Sequence, residues 1–240
     1  TVSLDLLGES VHQPSEAEAA RDVYVAILRA MGKAGLEANA SLKPTALGLD
    51  IDEALCERNI RTVLEVAKAA GAFVRLDMEG SAYTQRTLDF FTKRVSPDFG
   101  KHSGLVIPSA LRRSTDDVDM LIRLGARVRL CKGAYLEPAS VAYPDKKDVD
   151  AHYVRLMEKL LAEGNYPAIA THDEAIITHA KTFVAEKGIA RDRFEFQMLY
   201  GIRRDLQEAL VKEGYRLRVY TPFGTQWYPY LMRRLAERPA

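Results

Sequence analysis

Cysteine is scarce: Cys56 and Cys131 are the only two in 240 residues. Two thiols cannot build a disulfide framework or a multi-cysteine zinc site, so a reducing compartment is expected. Long apolar runs are missing as well. No stretch of about 18 apolar residues is available for a membrane span, and the opening Thr1-Val2-Ser3-Leu4-Asp5 has neither the basic start nor the apolar core of a signal peptide. Charge of one sign is not in excess either. Thirty-four Lys+Arg balance 33 Asp+Glu to a formal net charge of +1, which argues against a polybasic face for nucleic acid and against an acidic tail. Together these absences predict a soluble, cytoplasmic protein without a nucleic-acid partner, and they leave peripheral membrane association open. No G-x-G-x-x-G, Walker A or G-x-S-x-G motif occurs. His12, His102, His152, His172 and His179 are dispersed without metal-ligand spacing, so no metal site is expected.

What the chain does contain is alternation. Strand-like runs at 2–7, 37–43, 73–78, 104–110, 126–132, 168–172, 194–199 and 216–221 take turns with helical patterns near 15–33, 53–70, 81–94, 115–124, 148–163, 174–187, 203–213 and 225–237. Ser15 before Glu16-Ala17-Glu18, and Ser114-Thr115 before Asp116-Asp117, supply N-cap side chains and first-turn acids, and Gly71, Gly125, Gly164, Gly188 and Gly214 stop helical runs. Strand and helix in regular succession indicate parallel βαβ units. An open doubly wound sheet would bring a Gly-rich phosphate loop after its first strand, but here that strand runs into Leu7-Gly8-Glu9-Ser10. Eight units in a length near the roughly 250 residues of one barrel predict a single α/β domain over 1–240, a (βα)8 TIM barrel. A chain that opens directly on a strand, with no initiating methionine, fits either a piece trimmed at its N-terminus or natural economy.

The strands alternate in an unusual way. Apolar residues at every second position suit the face that packs on helices, and the intervening positions face the barrel interior, which branched aliphatics ordinarily fill. Here the intervening positions include Ser3 and Asp5; Asn39, Ser41 and Lys43; Arg75 and Asp77; Arg127, Arg129 and Cys131; Glu195 and Gln197; Arg216, Arg218 and Tyr220. Desolvated charges must be paired, so Asp5, Asp77 and Glu195 are expected to meet Lys43, Arg75, Arg129 and Arg218, or a charged ligand. A purely structural ion-pair network is one account of these charges and a ligand site is the other. The second gains from position: Lys43, Asp77, Arg129, Lys132, His172 and Tyr220 lie at or near the C-terminal ends of different strands, where barrel enzymes keep their active sites.

In the last helical run, Tyr230, Arg233, Arg234 and Glu237 share one side. Paired guanidinium groups beside an aromatic ring suit a small carboxylate with an apolar body, although an Arg-Arg pair taken alone more often marks a solvated helix face. Lys43 and Lys132 would also serve a Schiff-base lyase on the same barrel.

The motifs Leu6-Leu7-Gly8-Glu9, Leu42-Lys43, Leu76-Asp77-Met78, Arg129-Leu130-Cys131-Lys132-Gly133-Ala134-Tyr135, Ala170-Thr171-His172-Asp173, Phe194-Glu195-Phe196-Gln197-Met198-Leu199-Tyr200-Gly201 and Tyr230-Leu231-Met232-Arg233-Arg234-Leu235-Ala236-Glu237 follow one another across the chain. In order and position they resemble the proline dehydrogenase family, most closely its monofunctional bacterial members and more distantly the barrel of the bifunctional proline utilisation A proteins. The resemblance implies a distorted barrel whose last helix contributes to the active site. It implies oxidation of L-proline to Δ1-pyrroline-5-carboxylate by hydride transfer to N5 of a noncovalent FAD, with the electrons passed on to a quinone, the first step of proline catabolism. Contact with a quinone in turn implies transient approach to a membrane.

Residue by residue, the same likeness implies flavin contacts at Met78, Arg129, Lys132, Gly133, Ala134, Thr171, His172, Gln197 and Leu199. It gives the substrate carboxylate to Lys43, Arg233 and Arg234, and the substrate ring to Tyr135, Leu199, Tyr220 and Tyr230. Asp77 orders the pocket, Arg129 stabilises charge on the reduced flavin, and Glu9 gates the site by pairing with Arg233. Cys131 is expected to pack under the flavin, and no side chain stands out as a general base. Two departures bear on this picture. Pro108-Ser109-Ala110 stands where relatives usually carry Gln-Ala-Tyr, removing an amide contact to the flavin, and Pro44 replaces an apolar residue after Lys43. A barrel that binds flavin or carboxylate but turns over poorly is therefore a further alternative.

Overall fold

The structure, a computed structural model, describes residues 1–237, with side chains described through Met232. Its strands are β1 (Val2–Leu6), β2 (Asn39–Leu42), β3 (Phe73–Leu76), β4 (Ser103–Pro108), β5 (Arg127–Cys131), β6 (Ala168–Ala170), β7 (Glu195–Leu199) and β8 (Leu217–Phe223). They are hydrogen-bonded in chain order as a closed barrel. Between them come helices α1 (Pro14–Lys33), α2 (Glu53–Ala69), α3 (Ser81–Phe90), α4 (Ser96–Phe99), α5 (Ser114–Leu124), α6 (Lys146–Glu163), α7 (Glu174–Glu186) and α8 (Arg204–Lys212), and α9 (Trp227–Glu237) follows β8. The expected (βα)8 barrel is what the chain forms.

Two compact units can be distinguished, one comprising Thr1 and Arg75–Val219, the other Val2–Val74 and Tyr220 onward. In the larger unit β4, β5, β6 and β7 run parallel, with Val106 opposite Arg129, Arg129 opposite Ala168, and Ala170 opposite Gln197. Val128, Leu130, Phe196 and Met198 are buried between the sheet and its helices, whereas Arg75, Arg129, Glu195, Gln197 and Arg218 are buried on the other face. This two-residue periodicity sorts each strand into an apolar side and a charged side. Burying aliphatic side chains at roughly 25 cal/mol per Å² stabilises the first side; the second requires the pairing described below.

In the smaller unit β1 and β2 are parallel, with Asp5 opposite Ser41. Helix α2 is fixed at its start by Asp52, whose carboxylate accepts from the Ala54 and Leu55 N–H groups, and it buries Ile60, Val63, Leu64 and Ala67 on one face. Pro44 opens a short 3-10 turn, Pro44–Leu47, directly after β2. A proline there has no N–H to leave unsatisfied, which is why it is tolerated.

The helix expected near 81–94 is interrupted. A π-helical turn, Phe91–Val95, follows α3, with the Ser96 N–H bonded back to Phe91 O, and α4 comes next. Pro97 supplies the cause, because it cannot donate to the carbonyl four residues back and the turn before it widens.

Candidate active site

In the larger unit the charged strand faces form a continuous chain of side chains. Asp77 accepts from Arg129 Nη1 at 2.8 Å, and Arg129 Nε donates to Gln197 Oε1 at 2.6 Å. The Gln197 amide then donates to Glu195 Oε1 at 2.5 Å, and Arg218 Nε donates to the same oxygen at 2.9 Å. Arg75 lies beside the chain and donates to the carbonyls of Leu105 and Arg127. Burial, aided by the Arg129 cation, pushes the Arg75 pKa well below its usual value. Burial raises the Glu195 carboxyl, but the bond and charge of Arg218, with help from Gln197, more than reverse this and hold it below the usual carboxylate range. Strand alternation predicted these charges on one face, and the structure brings them together.

The strand ends of this unit carry further candidates. Lys132 follows β5 and lies 2.5 Å from Asp150 and 2.9 Å from Asp173. Asp173 is also the N-cap of α7, accepting from the Ala175 and Ile176 N–H groups. Lys132 and these N–H groups depress the Asp173 carboxyl against the upward pull of burial. Sequence reasoning quoted Asp173 only as part of a motif and missed Asp150, which α6 brings in from a distant stretch of chain. After β6, the Thr171 hydroxyl accepts from the Asp173 N–H. His172 Nε2 accepts from the Leu199 N–H at 2.8 Å, which places the ring proton of the neutral tautomer on Nδ1. Thr171, His172, Gln197 and Leu199 thus interlock through the ends of β6 and β7.

Met78 is buried, whereas Gly133, Ala134 and Tyr135 are exposed in the segment after β5. Gly133 has a φ of +114°, and a Cβ on it would lie 3.2 Å from the Ala110 Cβ and 3.4 Å from the Pro108 Cβ. Pro108 and Ala110 therefore back directly on the Gly133 main chain. Beneath them His152 Nδ1 donates to Ser109 O at 2.7 Å, and its Nε2 accepts from the Thr115 hydroxyl at 2.9 Å. Burial pushes the Cys131 thiol up to about 12, against the pull of Arg129; a thiol so poorly ionised suits a packing role and not a nucleophile.

In the smaller unit, Lys43 Nζ lies 3.1 and 3.3 Å from the two carboxylate oxygens of Asp5, and the Ser3 and Ser41 hydroxyls are 3.4 Å apart. Glu9 lies half-buried after β1, Tyr220 half-buried on β8 and Tyr230 half-buried on α9. Arg233 and Arg234 belong to α9, but their side chains lie outside the described residues, as does that of Glu237.

Among the described residues no group of three or more His, Cys, Asp or Glu could hold a metal ion. Both lysines suited to a Schiff base lie against carboxylates, Lys43 beside Asp5 and Lys132 beside Asp150 and Asp173, the opposite of the apolar or cationic setting that activates an amine. No described helix is long and apolar enough to cross a membrane.

A model of the family described as proline dehydrogenase matches residues 1–240. The proline dehydrogenase of Deinococcus radiodurans is 46% identical over 240 residues, covering 99% of this chain and 77% of that protein. Proline dehydrogenase 2 of Bacillus subtilis is 44% identical over 243 residues, covering 100% of this chain and 78% of its own. Among solved structures, proline utilization A from Bdellovibrio bacteriovorus, inactivated by N-propargylglycine, superposes with a TM-score of 0.93 at 29% identity. All of this chain is covered in that match, but only 30% of the larger protein.

Proposed function

The chain belongs to the proline dehydrogenase family, and from that premise we propose that it oxidises L-proline to Δ1-pyrroline-5-carboxylate, with FAD as the electron acceptor and a quinone as the acceptor after it. Residues 1–240 would act as one catalytic barrel domain, working in the cytoplasm and meeting the quinone by peripheral contact with a membrane. The observation that carries this is the buried Arg129, fixed on one side by Asp77 and on the other by Gln197.

The donors fit a flavin. Arg129, Lys132 and His172 would bring positive charge and nitrogen donors to a heterocycle and pyrophosphate rich in acceptors. Gly133 and Ala134 leave an open stretch of main chain beside them. Met78, Thr171, Gln197 and Leu199 complete the set. When bound, FAD would supply the two-electron acceptor that no side chain can provide.

The chain's own residues then do the positioning. Lys43, Arg233 and Arg234 hold the proline carboxylate, and Tyr135, Leu199, Tyr220 and Tyr230 enclose its ring, so that the C5–N bond to be oxidised is presented in one orientation. Arg129 keeps a fixed positive charge where negative charge develops, and Asp77 keeps Arg129 in place, so little reorganisation is needed during reaction. Glu9 would gate the site by pairing with Arg233, shielding the bound substrate from water.

Absorbance of the purified protein after incubation with FAD, and its anaerobic response to L-proline, test this. Flavin bands that bleach with proline are the expected result; no bands would overturn the cofactor, and bands that do not bleach would overturn the substrate. N-propargylglycine should inactivate the same preparation. Arg233→Met or Arg234→Met should raise KM for L-proline by a factor equivalent to about 2–5 kcal/mol, the scale for truncating a desolvated charged contact.

A further inference from the structure

Helix α3 starts without a cap of its own. Its N-cap position is Gly80, which has no side chain to accept the first N–H groups, and its first turn contains no acidic residue. The acceptor arrives from a distant part of the chain. Glu137 Oε1 accepts from the Ser81 N–H at 2.7 Å, and Glu137 Oε2 accepts from the Ser81 hydroxyl. A Cβ on Gly80 would already touch Glu137 Oε1, at 3.6 Å, so the bare N-cap and the incoming carboxylate fit each other. A carboxylate there also meets the positive end of the helix.

The contact ties together two segments that carry candidate site residues. Asp77 and Met78 lie just before the Gly80–Ser81 helix start, and Tyr135 lies just before Glu137. Leu136, between Tyr135 and Glu137, is 105% exposed, so it contributes no packing that would hold the segment down. The later part of the same segment is fastened elsewhere. The Arg112 N–H bonds Val141 O, the Tyr143 N–H bonds Ala110 O, and the Arg112 guanidinium lies 4.6 Å from the Tyr143 ring centroid. Glu137 anchors the part nearer Tyr135.

We propose that Glu137 is a positioning residue for substrate binding, holding Tyr135 in place by capping α3 through Ser81 and so coupling the pocket wall after β5 to Asp77 and Met78 after β3. This rests on the proline-oxidising function proposed above. Glu137 touches neither substrate nor cofactor in this scheme. It acts through Tyr135, and its loss should weaken binding of ground state and transition state alike.

The test uses the FAD-loaded full chain with Glu137→Ala, Glu137→Gln, Ser81→Ala and the Ser81→Ala/Glu137→Ala double variant. Glu137→Ala should raise KM for L-proline about ten-fold while kcat stays within about two-fold. Glu137→Gln, which keeps an acceptor oxygen, should recover most of that loss, and the double variant should be no worse than Glu137→Ala alone. Hydrogen exchange should quicken at the Ser81 amide and across 134–137 in Glu137→Ala, with α7 unchanged. An unchanged KM, additive single effects in the double variant, or unaltered exchange would each overturn the role. Should Glu137→Ala fail to fold, Ser81→Ala and Glu137→Gln decide through the same KM and exchange measurements. A wild type that does not bleach with L-proline overturns the proposed substrate and this role with it, whereas a wild type that bleaches beside a KM-neutral Glu137→Ala overturns only the role of Glu137.

Discussion

The charged strand faces of the two units solve the same problem with different residues. In the larger unit Asp77, Arg129, Gln197, Glu195 and Arg218 form a relay in which most members bond two others, built from side chains on three strands and just past the end of a fourth. In the smaller unit small residues, Ser3 and Ser41, occupy the deeper positions, and the ion pair Lys43–Asp5 stands at the strand ends. A relay fixes each charge from both sides and so makes a rigid electrostatic wall. An ion pair at the strand ends sets its cation where the proposed substrate carboxylate would be met. The difference matches the roles proposed above, a fixed cation at Arg129 and a substrate-holding ammonium at Lys43.

Substitutions that break each arrangement should therefore differ in how well they can be repaired. The largest effect is expected for Arg218→Met. It strands the buried Glu195 carboxylate and should cost about 3–5 kcal/mol in denaturant unfolding. Adding Glu195→Gln should restore less than half, because Gln197 loses its carboxylate partner. Lys43→Met should cost less, about 1–3 kcal/mol, and should raise KM for L-proline; adding Asp5→Asn should restore most of the stability and none of the KM. If both double variants recover equally, the relay and the pair are energetically alike and the comparison fails.

The smallest effect is one of slope. Glu195 has a folded pKa below its ordinary 4.5, so its contribution is complete above that value and is lost as pH falls through the lower folded value. Glu195→Gln should flatten the acid limb of the stability profile below about pH 4.5 relative to the wild type. An unchanged difference between the two proteins from pH 6 to about 3 would remove Glu195 from the acid response.

Much of this was legible in the sequence because it is written at period two. Charges at 127, 129, 216 and 218 cannot alternate with Val128, Leu130, Leu217 and Val219 unless each strand has one apolar and one polar side, and this gave the barrel and its charged interior together. Motif order supplied Lys132, Thr171 and His172. Contacts between distant segments were not legible. Nothing local marks Asp150 as a partner of Lys132, or Glu137 as the cap of Ser81, since a carboxylate on a helix or loop reads as an ordinary solvated charge. The strand expected over 168–172 stops at Ala170, because Thr171 and Asp173 turn their polar groups to the start of α7. The π turn was hidden because the helical periodicity continues through Phe91 and Val95, and only Pro97 shows the break.

The relay also bears on the order in which the chain folds. Arg129 meets Asp77 across 52 positions of sequence and Gln197 across 68, so the relay closes only after β3, β5 and β7 have come together. Contacts of that span are rewarded only after long stretches of chain have been closed into loops. If the relay closes only after the rate-limiting barrier, its loss falls on the rate of unfolding and leaves the rate of folding nearly unchanged. In that case the buried guanidinium groups would act as a kinetic lock, setting how long the native state lasts once it has formed.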